Sequence, residues 1–182
     1  NNIKLSPDEG YANTTNTIRK KYEYTSYSTD MHDIQNTMLH CHKNRLVGVG
    51  VGNDNSYVIH DNSSSSSSSN NNNNNNNNNY VRIELEGYTN VLSLSTKTIA
   101  VQCNMTLRNL TSYLKTIGMC LDTSLPVLLD QTVAGSIVGC SHGSSVHYGR
   151  MMDVVERMVW IDVCGDVRCG DVSDYECGII ME

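Results

Sequence analysis

Phenylalanine does not occur among the 182 residues, and apolar residues reach only 38%, below the usual share for a globular domain. There is no basic cluster and the net charge is -6, which argues against a nucleic-acid partner held through phosphate contacts. No stretch approaches the roughly 18–20 continuous apolar residues of a membrane span, and the amino end lacks the apolar core of a signal peptide. Cysteines stand at 41, 103, 120, 140, 164, 169 and 177, with no C-x-x-C and no Cys/His spacing of a zinc site. So odd and irregular a set predicts reduced, mostly buried thiols in an intracellular protein rather than a disulfide framework. The compartment itself stays open.

The length suits one ordinary domain with a single core. Most of the apolar deficit comes from one segment: Ser63 to Ser69 is all serine and Asn70 to Asn79 all asparagine. Neither run offers a side chain to offset the roughly 1–2 kcal/mol per residue of backbone ordering entropy. Residues 61–79 are therefore expected to be a disordered insertion, which a fold tolerates because closure entropy grows only logarithmically with loop length. Residues 1–21 are polar and aperiodic and read as a tail, leaving 22–182 as the domain. The chain starts with Asn1 rather than Met, so a preceding segment is open.

Tyrosines at 22, 24 and 27 suit a short strand. Asp30 then caps a helix whose apolar positions Met31, Ile34, Met38 and Cys41 keep helical spacing. His32, His40 and His42 on or beside it read as solvated, since His40 and His42 cannot share a face. Arg45 to Val49 is a short strand leading into the turn Gly50-Val51-Gly52-Asn53-Asp54, which could expose amides to a phosphate. Strands are expected over 57–60, 80–85, 91–94 and 99–103. Thr106 caps a second helix with Leu107, Leu110, Leu114 and Ile117 on one stripe and Gly118 as its stop. A hairpin over 157–169 turns at Cys164-Gly165-Asp166. This order implies an α+β fold rather than a doubly wound sheet.

Small residues crowd the stretch from Thr132 to Ser145. Thr132 can cap a short helical turn, and Ala134, Gly135, Ser136 and Gly139 leave its surface bare. Bare backbone allows a flat or extended ligand to approach, with amides open to its oxygens. It equally allows tight packing against a neighbouring element, and physics alone does not choose.

The stretch Asp130-Gln-Thr-Val-Ala-Gly-Ser-Ile-Val-Gly-Cys-Ser-His-Gly-Ser-Ser145 resembles the FAD-binding signature of the aldonolactone oxidases, within the vanillyl-alcohol-oxidase-type flavoproteins. Ile99 to Leu110 is similar to that family's strand-turn-helix, with Asn104 where a glycine usually stands and a left-handed turn is expected. The helix at 30–43 and the Val49-Gly-Val-Gly52 turn match the family's pyrophosphate loop in order and spacing. The resemblance runs from about Tyr22 to Val167. It implies a two-lobed PCMH-type domain with FAD in the cleft between the lobes. Gly50, Val51, Gly52, Asn53 and Asp54 would line the pyrophosphate, and Asp130, Thr132, Gly135, Ser136, Gly139, His142 and Gly143 the rest of the nucleotide. Ile179, in a Gly-Ile-Ile strand like the family's, would lie beside the cofactor. No residue is assigned a proton-transfer role.

Two departures carry consequences. Many relatives have a flavin-linked histidine where Asn53 stands, and an amide cannot form that bond, so non-covalent FAD is implied. Asp54 replaces a small neutral residue, and a carboxylate about 4 Å from a phosphate charge is repelled by about 4 kcal/mol at an effective dielectric of about 20. The side chain turns to solvent, the register slips toward Ser56, or FAD binds weakly; the residues leave these open. The Gly-Ile-Ile strand follows the hairpin early, and the family's substrate-capping domain does not follow Glu182, so the carboxyl end is expected to be truncated. The function implied is the FAD-binding portion of a sugar-1,4-lactone oxidase, whose substrate in the full enzyme is a sugar lactone or polyol. An alditol or other alcohol oxidase is the sister alternative. A non-catalytic relic or interaction module is the alternative of another class, favoured by Asp54, the insertion, the short end and the missing phenylalanine.

Overall fold

In the computed structural model, residues 5–7, 11–12, 19–20, 24–28, 30–52, 80–175 and 178–182 are described. The strand expected at 57–60 and the insertion at 61–79 lie outside them. The segment read as a polar tail holds β1 (Leu5–Pro7), β2 (Tyr11–Ala12) and β3 (Arg19–Lys20). β1 pairs antiparallel with β4 (Tyr24–Tyr27), and β2 pairs with β3. A polar, aperiodic run reads as tail because two- and three-residue strands are too short to show a period.

Asp30 caps α1 (Met31–Asn44) as expected, its carboxylate accepting from the Asp33 amide at 2.9 Å. Ile34, Met38 and Cys41 are buried along one stripe. Arg45 ends the helix in the left-handed conformation (φ 55°), which hydrogen-bonds its amide to the last turn and delays the strand. β5 therefore runs Val47–Val51, two residues further than the sequence suggests at each end. Glycine lets it continue. A Cβ on Gly48 would stand 2.7 Å from Met38 Sδ, and one on Gly50 3.2 Å from Ile179 Cγ2. These glycines serve close packing within a strand rather than a turn.

β6 (Tyr80–Glu84) pairs parallel with both β4 and β5, giving the sheet order β1-β4-β6-β5. The carboxyl ends of β4, β5 and β6 consequently share one edge, the side on which open parallel sheets receive ligands. The second lobe meets that edge. It comprises the hairpin β7 (Val91–Leu94) and β8 (Ile99–Val101), α2 (Leu107–Thr116) and the short α3 (Val133–Val138). An antiparallel sheet of order β10-β9-β11 completes it, from β9 (Met158–Asp162), β10 (Val167–Gly170) and β11 (Gly178–Ile180). The fold is α+β, as expected.

One core joins the two lobes. Ile34, Met38 and Cys41 of α1 and Val81, Ile83 and Leu85 of the first lobe pack with Ile161, Ile179 and Met181 of the second. Gln35 Nε2 adds a hydrogen bond to Gly165 O at 3.1 Å in the β9–β10 turn. Gly165 is required there, with φ 87° and the Gln35 carbonyl only 2.6 Å from where a Cβ would sit.

The thiols depart from expectation. Cys41 and Cys103 are buried, but Cys120, Cys140, Cys164 and Cys169 are exposed, and none of these six is in a disulfide. Four of them fall in turns or on an outer strand, where no hydrophobic face claims them.

Candidate functional site

The candidate site forms where Gly52, just past the end of β5, meets the second lobe. Gly52 is the pivot. A Cβ on it would lie 2.7 Å from Asn104 Oδ1 and 2.8 Å from Thr132 Cγ2. Asn104 is held by its amide, which donates to Tyr88 O at 2.8 Å, and Cys103 N donates to Met181 O at 2.8 Å. Three segments distant in sequence thus converge beside the carboxyl edge of the parallel strands.

Thr132 caps α3 as expected, its hydroxyl accepting from the Gly135 amide at 3.0 Å. The expectation that this turn offers open amides is corrected. Val133 N donates to Met105 O (2.8 Å), Ala134 N to Cys103 O (3.2 Å) and Ser136 N to Thr132 O (2.9 Å). All four amides of the first turn therefore have protein acceptors. Close packing, one of the two readings open from sequence, is what the small residues of this turn serve: Ser136 is fully buried, and its hydroxyl donates to Val133 O at 2.7 Å.

The remaining expected residues separate into groups. Gly50 and Val51 lie within β5. Asn53 and Asp54 lie outside the described residues. Ile179 is buried against Gly50 and so reaches the junction from the far end of the chain. Asp130 makes an exposed two-pronged ion pair with Arg108, contacting Nε and, at 3.1 Å, Nη2. That pair, with Leu107 N to Gln131 O (2.9 Å) and Arg108 N to Leu129 O (2.8 Å), fastens α2 to the strand-like lead into α3. The Arg108 guanidinium holds the Asp130 carboxyl below its ordinary range. The pair thus fixes the approach to Thr132.

Gly139 is the C-cap of α3. Gly143 packs on the Ser124–Leu125 backbone, where a Cβ would stand 2.7 Å from either carbonyl oxygen. His142 is exposed, and its Nδ1–H donates to Gly143 O at 2.9 Å. These three shape the loop beyond α3.

Sequence reasoning passed over Asn104 as a side chain. A left-handed turn was expected there, yet Arg45 and Cys140 are the residues other than glycine with positive φ among those described. The Asn104 Oδ1 atom is buried and has no hydrogen-bond partner. Tyr88, at the same junction, also buries a hydroxyl without a partner. Burial, with the nearby charges of Asp30, Cys103 and Asp33, pushes that phenol up to about 12. The signal that could have singled out Asn104 was its polar side chain between the apolar Cys103 and Met105, both buried.

A family described as FAD binding domain matches residues 24–170. Similar solved structures include an alkyldihydroxyacetonephosphate synthase at TM-score 0.65 and 16% identity, over 88% of this chain and 31% of that one. A chitooligosaccharide oxidase aligns at TM-score 0.66 and 11% identity, over 87% of this chain and 34% of that one. The FgChi7B structure aligns at TM-score 0.73 and 12% identity, over 98% of this chain and 39% of that one. Among curated proteins no sequence matches. Likeness at these identities shows the fold, and this chain spans 31% to 39% of those three.

Proposed function

We propose, given that the chain belongs to the FAD binding domain family, that it is the cofactor-holding portion of an FAD-dependent sugar-1,4-lactone oxidase. The observation that carries the reading is the convergence of Gly52, Asn104 and Thr132 at the lobe junction. Gly52 brings bare backbone close against an orphaned buried carbonyl oxygen, and that bare backbone with an unmet polar atom beside it supports a dinucleotide lying between the lobes.

Gly52 and the adjoining Asn53 and Asp54 would hold the pyrophosphate, with Gly50 and Ile179 closing the floor. Thr132 would present its methyl to the cofactor while its hydroxyl caps α3, and Gly135, at the same turn, would add bare backbone. Asp130, Ser136, Gly139, His142 and Gly143 would act by fixing that frame. The bound flavin supplies acceptance of a hydride from a sugar hydroxyl carbon, and the protein supplies orientation. Asn53 carries no imidazole, so the flavin is held without a covalent bond.

The test is a flavin spectrum of the purified chain before and after acid precipitation. Yellow protein that releases its flavin into the supernatant is expected. Flavin remaining in the pellet would overturn the non-covalent assignment. Turnover of sugar lactones over alditols by the full-length protein tests the substrate. A second reading, a folded module without cofactor, is favoured by one observation: the amides of the α3 first turn are already taken. Colourless folded protein that ignores added FAD would establish it.

A further inference from the structure

Met181 is held from both sides. Its amide donates to Val159 O of β9 at 2.8 Å, and its carbonyl accepts from Cys103 N, just past β8, at 2.8 Å. Glu182 O accepts from Val159 N at 2.6 Å, so Met181 and Glu182 together oppose one residue of β9, as in a β-bulge. At this point the β8 and β9 segments stand one strand apart, with the end of β11 between them. Past Glu182 the same two segments line an open groove of about 810 Å³.

The edges of that groove are set by the ladder behind them. Gln102 N donates to Asn90 O, and Thr98 O accepts from Ser95 N, so even-numbered residues along β8 face β7. Ile99 and Val101 therefore turn their amides and carbonyls the other way, to the edge where Cys103 reaches Met181. Across the groove, Arg157 has the parity of Val159 and presents its backbone to the same space. Among the described residues no backbone partner meets these three on that side. Leu110 and Leu114 of α2 and Val133 and Ile137 of α3 make the apolar wall. They belong to two separate clusters, one holding Val101 and the other Ile180.

We propose that the groove seats a strand of about five residues, continuous with β11, which the full-length protein supplies directly after Glu182. The inference rests on the reading above that this chain is one portion of a longer enzyme. Two open strand edges facing each other are a template for a strand. A helix satisfies its backbone internally and would leave both edges open. The source is the same polypeptide because β11 already delivers Glu182 to the mouth of the groove, and a tethered strand needs no encounter in solution. Seated there, it bonds Ile99 and Val101 on one side and Arg157 on the other. It joins the β7–β8 hairpin to the β10-β9-β11 sheet, giving the order β7-β8-β11-β9-β10. Its alternate side chains are apolar and fill the space between the two clusters.

The experiment compares the 182-residue chain with the full-length protein by amide hydrogen exchange, with an FAD titration beside it. In the full-length protein the amides of Ile99, Val101 and Arg157 should exchange about a hundredfold more slowly than in the 182-residue chain. Protection at both edges together is the mark of a seated strand. Equal exchange in the two proteins at these three amides would overturn the inference. So would a native polypeptide whose intact mass ends at Glu182. Protection that arises in the 182-residue chain alone and grows with its concentration would mean that a second copy fills the groove, which overturns the covalent source. The FAD reading fails separately. Full-length protein with the three amides protected and no flavin uptake would keep the strand and sink that reading, whereas flavin uptake with fast exchange would do the reverse.

Discussion

A methyl group placed on Gly52 would stand 2.8 Å from Thr132 Cγ2, so the end of β5 and the cap of α3 touch across the lobe junction. Ordinary carbon contacts need about 3.5–4.0 Å. The separation leaves no room for any other residue at position 52.

Gly52→Ala should therefore push the backbone at position 52 away from Thr132. Overpacking of this kind costs about 1–3 kcal/mol. Fluorescence titration should show FAD affinity reduced by about tenfold or more. Wild-type affinity in that variant would remove Gly52 from the site.

Thr132→Ala deletes the hydroxyl that accepts from Gly135 N. Loss of such a cap typically costs about 1 kcal/mol, and urea denaturation should show it. Thr132→Ser should restore most of the loss. Equal midpoints for all three proteins would show that the cap is energetically idle.

Tyr88→Phe removes a buried hydroxyl that has no partner. An unsatisfied buried group costs about 1–3 kcal/mol, so the variant should gain stability on that order. Destabilisation would mean that the hydroxyl is bonded after all, through ordered water.

Thiol chemistry should divide the cysteines. Iodoacetamide followed by mass spectrometry should mark Cys120, Cys140, Cys164 and Cys169 in folded protein and spare Cys41 and Cys103 until it unfolds. Burial raises the Cys41 thiol from 9.0 to about 11, and burial raises Cys103 from 9.0 to about 12. The unfolded chain then loses protons at lower pH than the folded one. Stability should be full below about 9 and fall as pH rises toward 11 to 12. Cys103→Ala should flatten the alkaline part of the curve.

Asp130 carries the opposite sign. Its carboxyl lies below the ordinary range because Arg108 bonds it, so its contribution is present above the unfolded value and lost as pH falls through the folded one. The pair is exposed and the effect small. Arg108→Ala should reduce acid stability slightly and leave FAD affinity near wild type. A large affinity loss would place Asp130 against the cofactor instead.

Local features were the legible ones. Asp30, Thr106 and Thr132 announce three helix starts because a cap and the apolar rhythm after it lie within a few residues of each other. The β9–β10 hairpin was readable for the same reason, its turn being contiguous. What escaped depends on distant partners. Gly50 looks like a turn until Ile179 is seen to occupy its side-chain space. The amides before Ser136 look open until Met105 and Cys103 supply their acceptors. Asn104 looks like a conformational substitute for glycine until its backbone proves ordinary and its side chain unpaired.

The core shared by Ile34, Met38, Ile83, Ile161 and Ile179 has a consequence for how the molecule comes apart. Neither lobe can expose its half without exposing the other's, so the two should unfold in one cooperative transition. Calorimetry should give a single peak that moves intact when cofactor is added. The junction between the lobes should then behave as a fixed seam rather than a hinge.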